Sequence, residues 1–301
     1  MIGRCCKIKE SKLYEDLLKE FPALRIEKDF PLKNRTSFKV GGSADIAATP
    51  STIDELDALI KFLRGKYHYC VLGGATNVLI SDKGFRGVIV FTEKLKRIKL
   101  FGSILRAECG VRMGEILKVC KDNSLSGLEF ACGIPGTVGG MTVMNAGCFN
   151  KSFSDVVSFV IAENGVYNNK NCCFDYRDSR FMMGETVYEV GFKLKVSEAE
   201  TIDSKIEKFS SIRRRSQPKG YSCGSCFLNE GFFAGKVIDQ AGLKGFRVGG
   251  AYISEAHANF VINSGGTAQN IYDLIKEVKR RVLDSEGIEL HEELRYIGEF
   301  E

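Results

Sequence analysis

Apolar residues recur at the three-to-four-residue spacing of a helix in several segments of the chain. In the first of these, Ser51 or Thr52 supplies an N-cap, acidic residues fill the first turn, and the pattern stops near Gly65. The same spacing indicates helices in three later stretches. We predict these helices at residues 112–122, 201–212 and 271–282.

Short runs of branched apolar residues predict strands between these helices. They lie at 69–72, 78–80, 88–90 and 104–111, and a regular alternation over 190–196 indicates a strand with one buried face. The first helix with the strands that follow it forms a βαββ-like unit, and a second unit of mixed helix and strand closes near residue 197. We therefore predict an α+β fold with a domain boundary at that point.

Residues 128–147, LEFACGIPGTVGGMTVMNAG, have five glycines between Gly133 and Gly147. Because glycine lacks a Cβ, its backbone N–H groups can approach an anionic or flat ligand closely. The interspersed valines and methionines argue against a flexible linker. A tight connection in a buried sheet is the alternative interpretation.

A second glycine-rich turn, GGATN, occupies residues 73–77. Neither turn fits the G-x-G-x-x-G pattern of a Rossmann site, and neither contains the Gly-Lys-Ser/Thr of a P-loop. Two such loops suit a long ligand with a diphosphate and a ring system at opposite ends. FAD has that shape.

Composition narrows the class of protein further. The chain has 301 residues, about two domains by length, and a net charge of +5. The run Arg213–Arg215 could contact nucleic acid, but an anionic small molecule explains it equally well. The sequence lacks a continuous apolar run long enough for a membrane span and an N-terminal secretory pattern, so we expect a cytoplasmic protein that binds neither membranes nor nucleic acid.

The chain has 11 cysteines, an odd number spread over a long sequence, which favours free thiols over disulfides. Cys223 and Cys226 have the spacing of a dithiol or zinc motif. Because no second pair accompanies them, we predict no metal site.

Several polar residues could take part in chemistry, and each has a structural alternative. Ser225 lacks the G-x-S-x-G spacing of a nucleophile elbow, and a turn serine bonded to its own backbone is the alternative. Arg177 lies between two aspartates, a pattern typical of a solvated ion pair. Glu293, in Glu292-Glu293, would ordinarily be solvated, and His257 would ordinarily be structural.

Taken in order, eight blocks of the sequence resemble the UDP-N-acetylenolpyruvoylglucosamine reductase (UDP-N-acetylmuramate dehydrogenase) family. The likeness extends from about residue 20 to the C-terminus. We see no room for the extra substrate-covering segment of the longer subclass, so the chain resembles the shorter, type II form. The blocks are NRTSFKVGGSAD at 34–45, LGGATNVLISDKGFRG at 72–87, GLEFACGIPGTVGGMTVMNAG at 127–147, DYRDS at 175–179, SCGSCF at 222–227, AGKVIDQAGLKGFRVGG at 235–250, HANFVIN at 257–263 and GIELHEELRYIG at 287–298.

The resemblance implies a fold and a domain organisation. It implies an FAD-binding α+β fold of the PCMH type, like that of vanillyl-alcohol oxidases, over residues 34–197, with subdomains at about 34–98 and 99–197. A substrate-binding α+β domain would follow at 198–301, and residues 1–33 would pack on the core. We expect a monomer.

The resemblance also implies the cofactor and the reaction. FAD would be bound tightly without a covalent link, NADPH would reduce it, and enolpyruvyl-UDP-N-acetylglucosamine would be reduced to UDP-N-acetylmuramate for peptidoglycan precursors. The cofactor-binding residues would be Gly73, Gly74, Ala75, Thr76, Asn77, Gly133, Ile134, Pro135, Gly136, Thr137, Gly139, Gly140, Asn145, Ala146 and Gly147.

By position in the matching blocks, three residues would be catalytic. Arg177 would stabilise the enolate-like charge on the substrate carboxylate, Ser225 would donate a proton to its α-carbon, and Glu293 would polarise or protonate the enolate, which asks for a raised pKa. The substrate-binding residues would be Tyr176, Arg213, Arg214, Asn229 and Arg295.

The sequence departs from the family pattern at a few positions. Glu230 stands where proline is usual, Ala256 where lysine is frequent, and Tyr221 where proline is common. These changes bear on nucleotide binding. Two alternatives remain: a flavin oxidase or dehydrogenase of the same fold that acts on an alcohol or sugar, and a non-enzymatic thiol module built on Cys223 and Cys226.

Overall fold

Helices and strands alternate through residues 10–301, the part of the chain that the computed structural model describes, with side chains described from residue 12 onward. The α-helices in this range are α1 (Glu10–Glu20), α2 (Ile53–Leu63), α3 (Met113–Asp122), α4 (Val138–Val143), α5 (Ala199–Ser216), α6 (Ala234–Gln240) and α7 (Ala268–Glu286). Short 3₁₀ turns lie at Lys33–Arg35, Glu129–Ala131, Phe153–Asp155, Asn169–Cys172 and Arg180–Met183.

The strands are short, and many belong to small sheets. The first nine are β1 (Arg25–Pro31), β2 (Ser43–Thr49), β3 (Tyr69–Leu72), β4 (Val78–Ile80), β5 (Phe85–Phe91), β6 (Ile98–Phe101), β7 (Ile104–Glu108), β8 (Leu125–Ser126) and β9 (Gly147–Cys148). The others are β10 (Lys151–Ser152), β11 (Val157–Ala162), β12 (Gly165–Asn168), β13 (Val187–Lys193), β14 (Lys195–Val196), β15 (Arg247–Val248), β16 (Ala251–Ile253), β17 (Val261–Asn263) and β18 (Arg295–Ile297).

Two larger sheets and one smaller sheet organise these strands. One sheet has the strand order β1-β2-β5-β3, and the second, of five antiparallel strands, has the order β12-β11-β13-β7-β6. A three-stranded antiparallel sheet has the order β15-β16-β17. The remaining pairs are β9 with β10, β8 with β14, and the parallel pair β4 with β18.

The chain forms two compact units, each made of segments that are not contiguous in sequence. Within the described residues, the first unit comprises 10–26, 48–74 and 89–215, and the second comprises 27–47, 75–88 and 216–301. The sequence-based domains were contiguous, and that functional division stays a prediction. Of the predicted N-terminal segment, residues 1–9 lie outside the described part of the chain.

Helices α2, α3 and α5 of the first unit form where the apolar spacing predicted helices, whereas α1 and α4 were not predicted. The Thr52 hydroxyl accepts a hydrogen bond from Glu55 N at 3.1 Å and so caps α2, whose predicted apolar face is fully buried. The Glu115 carboxylate accepts from Arg112 N at 2.9 Å and fixes the start of α3. Local capping and an apolar stripe therefore suffice to explain both helices.

The core of the second unit surrounds α7. The Thr267 hydroxyl accepts from Asn270 N at 3.1 Å at the start of this helix, and Gly287, with φ +67°, ends it. Its apolar face packs against buried residues from several other segments. They include Phe38, Leu79, Phe227, Val237, Ile238, Ile253, Val261 and Leu290.

Two predicted strands differ from the observed ones. The strand expected at 104–111 ends at Glu108, because Cys109 and Val111 leave the sheet and their carbonyls accept from Gly139 N at 2.9 Å and Val138 N at 2.8 Å. The strand expected at 190–196 is divided into β13 and β14. None of the helices in residues 10–301 combines the length and apolar character that a membrane crossing needs.

Candidate functional site

The two glycine-rich loops meet within the first unit. A Cβ added at Gly73 would overlap the Thr137 hydroxyl, so the backbone of the first loop lies directly against a side chain of the second. That the two loops contact opposite ends of a long ligand stays a prediction, and at this point the loops touch each other. Gly73 and Thr137 form one continuous surface.

Thr137 is the unusual polar residue of this surface. Its side chain is only 3% exposed, and its hydroxyl has no hydrogen-bond partner among residues 10–301. A buried hydroxyl without a partner costs about 1–3 kcal/mol, and native structures rarely keep one without a ligand or water to satisfy it.

The glycine-rich segment is more structured than its composition suggested. Residues 138–143 form α4, and Gly139 lies so close to Cys109 that an added Cβ would be 2.7 Å from the Cys109 Cβ. Gly139 is thus required for packing. The sequence did not predict this helix because two of its six residues are glycine, the poorest helix former after proline.

Side chains clamp the end of this segment to the turn at residues 175–178. Asn145 is buried; its amide Nδ2 donates to Asp175 O at 2.8 Å, and its Oδ1 accepts from Ser154 N at 2.9 Å. The Ser179 hydroxyl donates to Val143 O at 2.7 Å. These bonds hold the backbone of residues 143–147 in place.

Arg177 occupies a strained position in that turn. Asp175 and Asp178 exchange two backbone hydrogen bonds of 3.0 and 3.2 Å, and Arg177 between them has φ +55°, a left-handed conformation that costs roughly 1–2 kcal/mol. Its guanidinium donates to Gly147 O at 3.0 Å and lies 5.2 Å from the Tyr176 ring. The carboxylates of both aspartates accept hydrogen bonds from neighbouring backbone N–H groups, so they have a role beyond a surface ion pair with Arg177. Strain of this kind is typical of functional positions.

The two predicted substrate-binding arginines of α5 have different surroundings. Arg213 donates to Cys148 Sγ at 3.5 Å, and its Nε would be 3.3 Å from a Cβ at Gly133. Arg214 instead pairs with Glu207 on its own helix at 2.5 Å. Arg213 is therefore the one that lies against the glycine-rich segment. Burial raises the pKa of the Cys132 thiol in this segment, and the charge of Arg213 opposes that rise.

In the second unit, hydrogen bonds hold the segment around Ser225 from both sides. Ser225 pairs with Phe260 in an antiparallel bridge, and Cys226 N donates to Asn259 O at 2.8 Å. On the other side, Glu293 N donates to Cys226 O at 2.8 Å. The alternative of a turn serine bonded to its own backbone does not hold for Ser225, because this residue lies in an antiparallel bridge.

The Ser225 hydroxyl is half-buried and has no hydrogen-bond partner among the described residues. The turn serine bonded to its own backbone is Ser222, whose hydroxyl accepts from Gly224 N at 3.2 Å. The sequence did not single out Asn259. Its side-chain amide fixes Phe227, two residues after Ser225, because it accepts from Phe227 N and donates to Phe227 O, both at 2.9 Å. Its place in the HANF block was the available signal.

Glu292 and Glu293 have different bonding partners. Glu292 pairs with Lys279 at 2.8 Å, whereas the backbone carbonyl of Glu293 accepts from the Asn77 amide Nδ2 at 3.0 Å. Arg295 N donates to Asn77 O at 3.0 Å, so Asn77 joins the end of the GGATN turn to residues 293–295. Among the other predicted substrate-binding residues, Arg295 and Tyr176 are exposed, and the exposed Asn229 accepts from Ala234 N at 2.9 Å at the start of α6.

Comparison with known families identifies an FAD-binding protein of the α+β class. Residues 44–165 match a family model described as an FAD binding domain. Residues 217–297 match the model described as the UDP-N-acetylenolpyruvoylglucosamine reductase C-terminal domain. The chain belongs to the UDP-N-acetylenolpyruvoylglucosamine reductase family, as the sequence blocks predicted.

Relatives and a solved structure cover nearly the whole chain. The reductase of this name from Caldanaerobacter subterraneus subsp. tengcongensis is 40% identical over 279 residues, which is 89% of this chain and 92% of that protein. The one from Syntrophomonas wolfei is 39% identical over 298 residues, 95% of this chain and 100% of that protein. The crystal structure of the Thermus caldophilus reductase, 32% identical, superposes with a TM-score of 0.80 over 91% of this chain and 100% of that chain. The expected FAD-binding fold of the PCMH type is confirmed.

FAD is accordingly the cofactor, and the residues present fit it. The buried Thr137 hydroxyl has an unmet hydrogen bond, and the backbone at Gly73 lies bare beside it because a Cβ there has no room. A flavin oxidase acting on an alcohol or sugar is not favoured by these relatives. Within residues 10–301, no group of three or more histidine, cysteine or acidic side chains is placed to hold a metal.

Proposed function

We propose that this chain reduces enolpyruvyl-UDP-N-acetylglucosamine to UDP-N-acetylmuramate at the expense of NADPH, with Arg177, Ser225 and Glu293 as catalytic residues. This step supplies a peptidoglycan precursor, and through it cell shape and division. Because a nucleotide-linked sugar and NADPH are the substrates, we place the reaction in the cytoplasm. We propose that the protein acts as a monomer, which size-exclusion chromatography with light scattering tests.

FAD held by this chain would supply the hydride chemistry that couples oxidation of NADPH to reduction of the substrate's vinyl carbon. For this chain's residues, we propose that the Thr137 hydroxyl and the backbone of the 73–77 and 133–147 loops hold the cofactor. The remaining steps concern charge and proton movement on the substrate.

Hydride addition to an unsaturated carboxylate places negative charge on that carboxylate as an enolate. We assign the stabilising cation to Arg177, because its guanidinium donates to Gly147 O at 3.0 Å and is thereby held at the end of the glycine-rich segment. A preorganised donor of this kind is commonly worth roughly 3–4 kcal/mol.

The enolate α-carbon then needs a proton, and we assign that proton to Ser225. A neutral hydroxyl can lie beside the carbon without placing a competing negative charge there. The observation that supports the proposal best is that the Ser225 hydroxyl has no partner among the described residues while the adjoining backbone is paired on both sides. A side chain held in this way is oriented and still available.

We propose that Glu293 polarises or protonates the enolate oxygen. Its backbone is bonded on both faces, to Cys226 O through its N–H and to the Asn77 amide through its carbonyl. Tyr176, Arg213, Arg214, Asn229 and Arg295 are proposed to contact the sugar nucleotide. Of the two arginines on α5, Arg213 is the stronger candidate because Arg214 is already paired with Glu207.

The test is spectroscopic. The purified protein should be yellow, oxidise NADPH slowly alone, and oxidise it much faster when enolpyruvyl-UDP-N-acetylglucosamine is added, with UDP-N-acetylmuramate as the product identified by mass spectrometry. A folded preparation that takes up FAD but transfers nothing to this substrate would falsify the proposal.

A further inference from the structure

Cys223 and Cys226 flank Ser225 and have no role in the proposed reaction. Their side chains are 8% and 0% exposed, and their Sγ atoms are 3.7 Å apart. A disulfide bond is about 2.05 Å long, so the two sulfur atoms need to approach each other by only about 1.7 Å to bond. The described residues offer no third ligand for a metal between them.

The backbone between the two cysteines has room to adjust. Gly224 has φ +91°, and a Cβ added there would meet nothing within 4 Å. Cys226, in contrast, is held through its N–H by Asn259 O and through its carbonyl by Glu293 N, both at 2.8 Å. Movement that joins the sulfur atoms therefore falls mainly on Cys223 and Gly224, and it strains the bridge that pairs the adjacent Ser225 with Phe260.

We propose that Cys223 and Cys226 form a reversible dithiol–disulfide site, oxidised by a hydroperoxide, whose closure displaces the Ser225 hydroxyl and slows the reduction of the sugar nucleotide. The part that concerns Ser225 rests on the proposed function. The existence of the disulfide does not.

The chemistry balances in two steps. The Cys223 sulfur attacks the hydroperoxide, an S–O bond forms, the O–O bond breaks, and an alcohol (water, for hydrogen peroxide) leaves with the thiol proton. The Cys226 sulfur then attacks the Cys223 sulfur, the S–S bond forms, the S–O bond breaks, and water leaves with the second proton. Two thiols are oxidised and one hydroperoxide is reduced, and a small-molecule dithiol reverses the change by exchange.

Cys223 is the more exposed of the two residues, and we expect it to meet the oxidant first. The hydrogen bond with Cys226, burial and the charge of Glu293 together raise the pKa of Cys223, so its reactive thiolate is scarce at neutral pH. Oxidation is therefore slow, and its rate increases as pH rises. This separates the site from fast thiol sensors, whose pKa is lowered.

The first experiment detects the bond itself. The full-length, FAD-loaded protein is treated with hydrogen peroxide, its remaining thiols are alkylated, and it is digested with trypsin, which releases residues 220–236 with both cysteines in one peptide. We expect this peptide to lose two hydrogen atoms and to escape alkylation, and dithiothreitol to restore it. The exposed Cys173 is the internal control for peroxide exposure. If Cys173 is oxidised while Cys223 and Cys226 both remain alkylated, the site is overturned.

The second experiment measures the link to Ser225. After peroxide is removed, we expect reduction of the sugar nucleotide by reduced enzyme to be at least tenfold slower, with flavin reduction by NADPH unchanged and full recovery in dithiothreitol. In Cys223→Ala, and separately in Cys226→Ala should the first variant not fold, peroxide should have no such effect. A disulfide with an unchanged sugar-nucleotide step overturns the link to Ser225. If the reduced protein never acts on the sugar nucleotide, the proposed function fails, and the peptide mass still decides the cysteine site.

Discussion

The glycine-rich segment of the first unit and the stretch around Ser225 in the second unit are held in place by opposite kinds of hydrogen bond. In the first, side chains such as Asn145 and Ser179 bond to carbonyls and so fix a bare backbone. In the second, backbone bonds to Asn259 and Glu293 fix the stretch that carries Ser225. In the glycine-rich segment the fixed backbone itself is the proposed binding surface. In the stretch around Ser225 the fixed backbone orients one functional side chain, that of Ser225.

This difference tells which changes each region tolerates. Where the backbone is the surface, adding atoms is harmful, as the overlap of a Cβ at Gly73 with Thr137 indicates. Where a side chain is the functional group, removing its one reactive atom is harmful while the fold survives. The expected effects below follow from this contrast.

The largest effect is expected for Ser225→Ala. General acid catalysis contributes about 10²–10⁴-fold, so the oxidation of reduced flavin by the sugar nucleotide should slow by about that factor. Flavin reduction by NADPH should stay within about twofold of the wild-type rate, since no proton donor at Ser225 is needed there. Stopped-flow absorbance of the flavin measures both half-reactions separately.

Ser222→Ala is the matched control for this variant. Ser222 lies three residues away, and among the described residues its hydroxyl bonds only the backbone of Gly224. Both half-reactions should remain close to the wild-type rates. If Ser225→Ala slowed both half-reactions equally, Ser225 would be a structural residue and the proton-donor role would be lost.

The next largest effect is expected for Arg177→Lys. A lysine keeps the charge but cannot both bond Gly147 O and direct a second planar donor at a carboxylate. The sugar-nucleotide half-reaction should slow by roughly 10²–10³-fold, as for loss of one oxyanion donor. Arg180→Lys is the control, because Arg180 packs on the Tyr167 ring at 3.9 Å and pairs with Glu185. Equal slowing by both variants would show that the turn, not the guanidinium, matters.

A smaller effect is expected for Thr137→Val, which should raise the stability of the apoprotein but lower its affinity for FAD. Valine is nearly isosteric and removes the hydroxyl that has no partner in the described chain, so the apoprotein should gain about 1 kcal/mol in unfolding free energy. FAD affinity should fall by about 1–2 kcal/mol, or roughly 5–30-fold, because the hydrogen bond to the cofactor is lost. Denaturant unfolding of the apoprotein and calorimetric titration with FAD measure the two changes.

Thr142→Val separates the ligand effect from simple loss of a buried hydroxyl. The Thr142 hydroxyl is also buried but donates to Val138 O at 2.8 Å. Its removal should lower the stability of the apoprotein by about 0.5–1.5 kcal/mol and leave FAD affinity nearly unchanged. If Thr137→Val also destabilised the apoprotein without weakening FAD, the proposed role of Thr137 in the cofactor site would be wrong.

The same contrast explains what the sequence could predict. Helices α2, α3 and α7 follow from periodic apolar residues and local caps, which are properties of neighbouring positions. The helix α4 was missed because it is held by bonds to Cys109 and Val111, almost thirty residues away in sequence. Tertiary bonds of this kind leave no local pattern.

The candidate site divides in the same way. The matching sequence blocks pointed to Ser225, Arg177 and the two glycine-rich loops as functional residues. They did not predict that Ser225 lies in a bridge with Phe260 or that Gly73 lies against Thr137. The anchor Asn259 was missed because its bonds to Phe227 connect positions 32 residues apart. The roles of these residues stay predictions until the variants are measured.

The smallest effect concerns pH and His257, which lies beside the segment that pairs with Ser225. Burial lowers the pKa of His257 below 6.5, the nearby charge of Lys244 adds to this, and a backbone hydrogen bond opposes it. Its Nδ1 accepts from Asn259 N at 3.3 Å, which only the neutral ring can do.

Because the folded-state pKa is lower than the unfolded one, the unfolded chain binds the proton more readily. This contribution to stability is therefore complete above pH 6.5 and is lost as pH falls through the folded-state pKa. Loosening residues 257–260 should in turn slow the Ser225-dependent half-reaction slightly and leave flavin reduction by NADPH unaffected. His257→Asn keeps an acceptor that does not titrate, so its sugar-nucleotide rate should fall less than that of the wild type between pH 7.5 and 5. Parallel losses in the two proteins would assign the pH effect to other groups, and the support that the 257–260 backbone gives to Ser225 would then be independent of the imidazole.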